Sequence, residues 1–281
     1  KDTEKEELSI FEREYNDAIT LPIYGQFLFD NEVTTYAPVD NAPVPDNYRI
    51  GVGDSLNILL YGGLDSSENF ERELIVDRNG DIHFPQLGNL SIAGMSFGET
   101  KEYLNRRVKE QMIGASVSTS MGRLRSINVF MAGEAKIPGS YSVSALSTVS
   151  QMLFVAGGPS EIGSLRNIQV LESGKKKSTF DVYKLLTEGN TDGDVRLKSG
   201  DVIFIPPIKK VVMIDGAVKR PGRYELIENE TIDDLILLAG GLENRAFLKK
   251  ALLERYNPND DFPLTVNLDL SDDQSNYILQ D

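Results

Sequence analysis

The chain contains no cysteine, no tryptophan and a single histidine, His83. Without thiols it can form no disulfide, no thiolate nucleophile and no cysteine-ligated zinc site. Absence of cysteine is compatible with the cytoplasm and equally with the periplasm. Positive charge is scarce: 29 Lys and Arg face 43 Asp and Glu, for a net charge of −14. Nucleic acid is therefore a poor partner, because phosphate binding needs a basic face. The same charge repels an anionic membrane, and an acidic polysaccharide too unless local basic loops meet it. Long hydrophobic runs are also missing. The longest, such as Leu235 to Ala239, fall far short of the ~20 apolar residues a membrane-spanning helix requires. The opening Lys1-Asp2-Thr3-Glu4-Lys5-Glu6-Glu7 is no signal peptide, and a first residue other than Met suggests a processed or trimmed chain.

What is present is an ordinary globular composition, 40% hydrophobic and 26% charged, over 281 residues. That length allows about two or three domains of roughly 100 residues. Over residues 1–20, Leu8, Phe11, Tyr15 and Ala18 fall at helical spacing among charged residues, which predicts an amphipathic helix. Pro22, Gly25, Pro38, Pro43 and Pro45 then break regular structure, so 21–47 reads as an extended arm, either a plain linker or a segment packed on a neighbour. A compact unit starts at Tyr48. An apolar strand is expected at Ser55–Tyr61 and another at Glu73–Val76, followed by Asn79-Gly80 as the turn of a hairpin. Ser96 and Glu99 fit a capping box, with Leu104, Val108 and Met112 on one face of the helix that follows. This order predicts an α+β unit.

The rest of the chain carries an internal repeat. Gly133-Glu134-Ala135-Lys136-Ile137-Pro138-Gly139-Ser140-Tyr141 recurs as Gly216-Ala217-Val218-Lys219-Arg220-Pro221-Gly222-Arg223-Tyr224, and Pro138 to Pro221 is an offset of 83. The same offset carries Thr148 onto Thr231, Ala156-Gly157-Gly158 onto Ala239-Gly240-Gly241, and Leu165 onto Leu248. In each copy a strand runs to Pro-Gly, where proline fixes φ and glycine is expected to supply the positive φ of a type II turn. A second strand carries the Tyr. The repeated Thr caps a short helix, with Gln151 or Asp234 completing the box and Gly-Gly ending it. Hairpin, helix, strand and a late return strand is the order of a β-grasp fold. The first copy closes with Gly200-Asp201 and an apolar strand, whereas the sequence ends soon after Leu279, the counterpart of Leu197. The expectation is that the second copy continues in a longer natural protein.

Catalysis finds little support. His83 lies on a predicted strand with no thiol to partner it, and reads as a strand-surface residue rather than a base. Asp77-x-Asn79-Gly80-Asp81 lacks the remaining ligands of a calcium loop, and the hairpin turn accounts for the same residues. No catalytic or metal-ligating residue and no cofactor is assigned. The basic residues beside the Pro-Gly segments, Lys136, Lys219, Arg220 and Arg223, could meet a neighbouring subunit's carboxylates or an anionic glycan, or could be solvated turn charges. Tyr141 and Tyr224 could stack on sugar rings or serve packing. Lys175-Lys176-Lys177 reads as an exposed hairpin tip.

Tyr48-Arg49-Ile50-Gly51-Val52-Gly53-Asp54-Ser55-Leu56, the stretch from Val76 to Gly88, and Ala93-Gly94-Met95-Ser96-Phe97-Gly98-Glu99 together resemble the polysaccharide export sequence domain. Val52 stands where that pattern usually has Pro. The two repeats resemble soluble-ligand-binding β-grasp (SLBB) domains, and Leu21-Pro22-Ile23-Tyr24-Gly25-Gln26-Phe27-Leu28-Phe29 resembles the segment preceding the export domain in larger, multi-repeat members. The resemblance is to the outer-membrane polysaccharide export family. It implies an arm over 1–47, an export domain over 48–125, and β-grasp repeats over 126–209 and 210–281. The implied protein is a non-enzymatic, periplasmic, outer-membrane-associated component of capsular or exopolysaccharide export. Its implied partners are the polysaccharide, further copies of itself in a ring, and an inner-membrane polysaccharide copolymerase. A glycan- or small-ligand-binding protein that forms no conduit is the alternative.

Overall fold

A computed structural model describes residues 21–30, 43–62, 69–255, 264–271 and 279. The helix expected over 1–20 lies outside the described residues. The first unit is built on β1 (Ser55–Tyr61), the centre of an antiparallel sheet between β2 (Phe70–Ile75) and β5 (Ser116–Met121). Strict alternation buries Leu56, Ile58 and Leu60 of β1, while α1 (Phe97–Gln111) buries Leu104 and Val108. The helix starts where expected. Glu99 N–H donates to Ser96 Oγ at 3.2 Å and Ser96 N–H to Glu99 Oε2 at 2.7 Å, so two otherwise unpaired helix-end groups are satisfied.

Asn79-Gly80 is a turn but not the hairpin expected. Gly80 takes a φ of 87°, and Asp77 Oδ1 accepts from the N–H groups of Asn79 and Asp81. The strands it joins lie in different sheets, however: β2 pairs with β1, whereas β3 (Asp81–Phe84) pairs with β4 (Gly88–Ser91). His83 sits exposed on β3, its Nδ1 3.0 Å from Asn89 Oδ1 on the opposing strand.

The first repeat is a five-stranded sheet in the order β7 (Gly139–Ser144), β6 (Ser126–Gly133), β10 (Val202–Ile205), β8 (Ile168–Glu172), β9 (Lys175–Phe180). β6 and β10 are parallel, and their neighbours antiparallel, which is the mixed pairing of a β-grasp sheet. Two helices accompany it: α2 (Val149–Val155) buries Val149, Met152 and Leu153, and α3 (Val182–Glu188) buries Val182 and Tyr183, the latter against the second repeat. The Lys175-Lys176-Lys177 run follows the tight Ser173-Gly174 turn, but Lys177 leans back to Asp201 at 3.4 Å.

The second repeat repeats the parts: the hairpin β11 (Lys210–Ile214) and β12 (Gly222–Leu226), helix α4 (Ile232–Leu238), and the hairpin β13 (Ala251–Arg255) and β14 (Leu264–Leu268). Its backbone bonds recur at the sequence offset. Lys136 N–H donates to Gly158 C=O as Lys219 does to Gly241, and Gly158 to Leu153 as Gly241 to Ile236; Leu197 to Ser147 recurs as Leu279 to Glu230 with a one-residue shift at the donor. Bridges Ala135–Pro159 and Val218–Leu242 correspond as well. The duplication is thus present in the hydrogen bonds, not only in the letters.

The expected type II Pro-Gly turn is not formed. Gly222 has no positive φ and Gly139, at 155°, is far from the roughly 80° that turn needs, while the left-handed residues sit at the front of the loop, Gly133 at 77° and Gly216 at 93°. The loop is long because its middle bridges to the segment after the helix, and this demands the backbone reversal before Lys136 and Lys219 rather than after the proline. A Cβ at Gly133 would stand 2.1 Å from Ile205 O, so only glycine fits.

Candidate functional site: the cleft between the repeats

The polar residues that the structure buries are fasteners. Asp54, fully buried, accepts from Tyr48 Oη at 2.9 and 3.0 Å, from Gly51 N–H at 2.8 Å and from Arg125 N–H at 2.8 Å, and pairs with the Arg125 guanidinium. Tyr48 and Asp54 belong to the first unit and Arg125 immediately precedes β6, so one carboxylate ties the start of the first unit to the start of the first repeat. Burial, with the Asp54 charge beside it, pushes the Tyr48 phenol well above its ordinary range. Gly200-Asp201 repeats the local turn: Asp201 Oδ2 accepts from Lys198 N–H at 2.9 Å, as Asp54 does from Gly51. In both, the glycine before the aspartate is left-handed, Gly53 at 92° and Gly200 at 89°.

A second fastener joins the repeats. Glu225 on β12 accepts from Ser164 Oγ and, at 2.7 Å, from Leu165 N–H; its own N–H donates to Tyr183 Oη at 2.9 Å. Arg166 lies beside it, donating to Glu225 C=O at 3.1 Å and pairing with Glu230 at 2.6 Å and Asp181 at 3.4 Å. Its guanidinium also covers the Tyr183 ring, 5.0 Å from the centroid. Burial raises the carboxyls of Glu225 and Asp181 and the phenol of Tyr183. Burial alone would lower Arg166, but its bond to Glu230 and the charges of Asp181 and Glu230 prevail and raise it. Arg166 is thus paired with two carboxylates, and the Glu225 carboxyl is hydrogen-bonded to Ser164 and Leu165, the conditions under which burying such groups is tolerable.

Residues Leu21 to Asp30 fill the cleft that this junction leaves. Ile23 forms a parallel bridge with Arg223 on β12; Tyr24 N–H donates to Arg223 C=O at 2.8 Å, and Arg223 Nη1 donates to Leu21 C=O at 3.0 Å. The Tyr24 ring stacks on Tyr224 with centroids 5.1 Å apart, meets Tyr183 edge-on at 5.3 Å, and lies under Arg220 at 5.4 Å. Gly25 turns the chain with a φ of 92°, and Gln26–Phe29 form one 3₁₀ turn that delivers Phe29 onto Phe154 and Gly158. Gln26 Nε2 reaches Glu161 C=O at 3.3 Å. Ile23 and Phe29 are buried.

Three of the residues singled out in the sequence therefore converge. Arg220, Arg223 and Tyr224 all hold the arm, and Arg220 additionally donates to Leu238 C=O at 3.0 Å. Tyr224 is buried, and its hydroxyl donates to Arg220 C=O at 2.7 Å; Tyr141 makes the same bond to Ile137 C=O at 2.6 Å. The repeated tyrosine thus closes its own loop. Lys136 and Lys219 are exposed, Lys136 lying over Gly157 and Lys219 beside Gly241. Sequence reasoning does not single out Ser164, Arg166 or Tyr183, and Tyr24 stands out only as part of the Leu21–Phe29 segment. The usable signal is disagreement between copies: Glu225 and Arg166 align with Ser142 and Lys249.

Comparison with known proteins places these parts. The family model described as polysaccharide biosynthesis/export protein matches residues 42–122, and that of the SLBB domain matches twice, over 128–180 and 211–261. Among curated proteins, the polysialic acid transport protein KpsD of Escherichia coli is 28% identical over 187 residues, covering 66% of this chain and 32% of that protein. The EPS I polysaccharide export outer membrane protein EpsA of Ralstonia nicotianae is 26% identical over 199 residues, covering 62% of this chain and 51% of that protein. The chain thus spans about a third to a half of the curated relatives it matches.

Proposed function

From the premise that this chain belongs to the outer-membrane polysaccharide export family, with an export domain followed by two SLBB repeats, we propose that it works as a non-catalytic part of a capsular or exopolysaccharide export apparatus. The observation that carries this reading is the order of the three matched domains, together with the similarity of the chain to relatives named for polysaccharide transport and export. It acts in the periplasm at the outer membrane, assembles with further copies of itself, passes the glycan along the assembly, and cooperates with an inner-membrane polysaccharide copolymerase. The buried polar groups support a scaffold: Asp54, Arg166 and Glu225 are each spent on joining segments of the chain. Lys136 and Lys219, exposed at equivalent loops of an acidic protein, are the cations we assign to a neighbouring copy's carboxylates or to an anionic glycan, with Tyr141 supporting the first of these loops.

The test is made in the source bacterium. Deleting the gene should abolish surface polysaccharide while leaving its intracellular synthesis intact, and the full-length protein should run as a discrete oligomer in mild detergent. Normal surface polysaccharide in the deletion strain would overturn the reading. A strictly monomeric protein with measurable glycan affinity would favour a recognition module that forms no conduit.

A further inference from the structure

The contacts of the arm have the form of ligand recognition. Its backbone adds to the open edge of β12, one aromatic side chain enters a slot between two tyrosines under an arginine, and a second, five residues on, caps a glycine of the other repeat. Edge addition plus alternate side-chain pockets is how folded domains bind extended peptides. Among the described residues, the bonds and ring contacts given above run from Leu21–Phe29 to the two repeats, so one short segment carries them. The tether is long: residues 31–42 separate the arm from Pro43, a stretch that can reach up to about 45 Å when extended.

We infer that the cleft between the repeats is a peptide-binding site, that the arm is its exchangeable ligand, and that the partner it fits is the arm of a second copy of this chain. Seating a neighbour's arm satisfies the same bonds as seating its own, so exchange between copies costs little in contacts, and the tether decides by effective concentration which arm is held. The arm also crosses the junction, touching Arg223 and Tyr224 of one repeat and Phe154, Gly158 and Tyr183 of the other. A neighbour's arm would therefore brace both repeats at once.

A protease site inserted among residues 31–42 leaves the chain whole until it is cut after folding. A fluorescently labelled peptide of residues 21–30 is then added. It should replace the severed arm and raise fluorescence anisotropy, while a peptide carrying Tyr24→Ala and Phe29→Ala should bind at least about ten-fold more weakly, as loss of central aromatic anchors does. In a second arm, a chain lacking residues 1–30 is mixed with a chain carrying Gly158→Leu, whose own cleft is blocked. A two-copy complex should form in the mixture and in neither chain alone. Failure of the cut chain to take up the peptide, its unfolding on cutting, or equal binding of the altered peptide would overturn the peptide site. Peptide uptake without any two-copy complex would overturn the second copy as partner.

Discussion

Replacing Asp54 with Asn tests whether the Gly-Asp signature is a structural fastener, because the change keeps the shape and removes the charge. Both carboxylate oxygens are in use: Oδ1 accepts from Tyr48 Oη and Arg125 N–H, Oδ2 from Gly51 N–H and the Arg125 guanidinium. An amide offers one accepting oxygen, so whichever way it turns, two donors face an NH₂ group. Each orphaned donor costs about 1–3 kcal/mol, and breaking a buried ion pair from one side costs about 3–5 kcal/mol. The Arg125 side chain is 29% exposed and regains some hydration, which moves the expectation for Asp54→Asn to the lower end, about 3 kcal/mol. Asp201→Asn is the internal control. Asp201 makes the same turn but holds only Lys198 N–H at 2.9 Å and Lys177 Nζ at 3.4 Å, so about 1–2 kcal/mol is expected there. Urea unfolding followed by tyrosine fluorescence and far-UV dichroism measures both, and hydrogen exchange at Gly51 and Arg125 localises the first. The reasoning fails if Asp54→Asn lies within about 0.5 kcal/mol of the unaltered protein, or if the two substitutions cost the same.

Gly158→Ala should loosen the arm, since the new Cβ would lie 2.3 Å from the Phe29 ring at a φ of +79°. Docking should weaken by about 2–3 kcal/mol, read as faster proteolysis between Leu21 and Phe29 with the rest of the chain still resistant. The junction should respond to pH in a defined direction. Burial raises the Glu225 and Asp181 carboxyls, so the folded chain keeps protons that the unfolded chain has already released. Their contribution is therefore full below the ordinary carboxylate range near pH 4 and is lost as pH rises through the raised values. Glu225→Gln should flatten that fall in the exchange protection of Leu165 and Asn167; an unchanged slope would refute the assignment. Glu73, Glu99 and Glu172, held low by bonds to Ser55, Ser96 and Lys198, act with the opposite sign but are exposed and screened. Thr231→Ala removes the cap whose Oγ1 accepts from Asp234 N–H, and should cost about 1 kcal/mol, seen as faster exchange in α4 alone.

Much of this architecture is written in local pattern. The duplication, the Thr231 cap, the Ser96–Glu99 box and the alternation of β1 rest on spacings of a few residues, and the structure forms each of them. At Thr148 only half of the expected box forms: its N–H donates to Gln151 Oε1 at 3.1 Å, while its hydroxyl turns to Ser150 Oγ. Two local expectations failed for one reason. Asn79-Gly80 and the Pro-Gly pairs carry turn chemistry, but turn chemistry does not say which strands the turn will join. In the first case β2 found its partner in β1, and in the second the loop had to reach Pro159 or Leu242 before the chain could return.

The candidate site divides along the same line. Arg220, Arg223 and Tyr224 stood out because they recur at a fixed offset, yet nothing in their spacing says that they grip a segment some 200 residues earlier; Arg223 to Leu21 spans 202 positions. Residue types and periodicity determined the elements, the copy number and the absence of thiol chemistry, since each depends on neighbours along the chain. Which copy docks on which, that Glu225 and Arg166 are buried together, and that the arm lies across both repeats were decided only by the tertiary structure. Those outcomes depend on apolar surfaces and charges that meet only once the repeats have folded, and burial is what turns an ordinary carboxylate or tyrosine into a fastener.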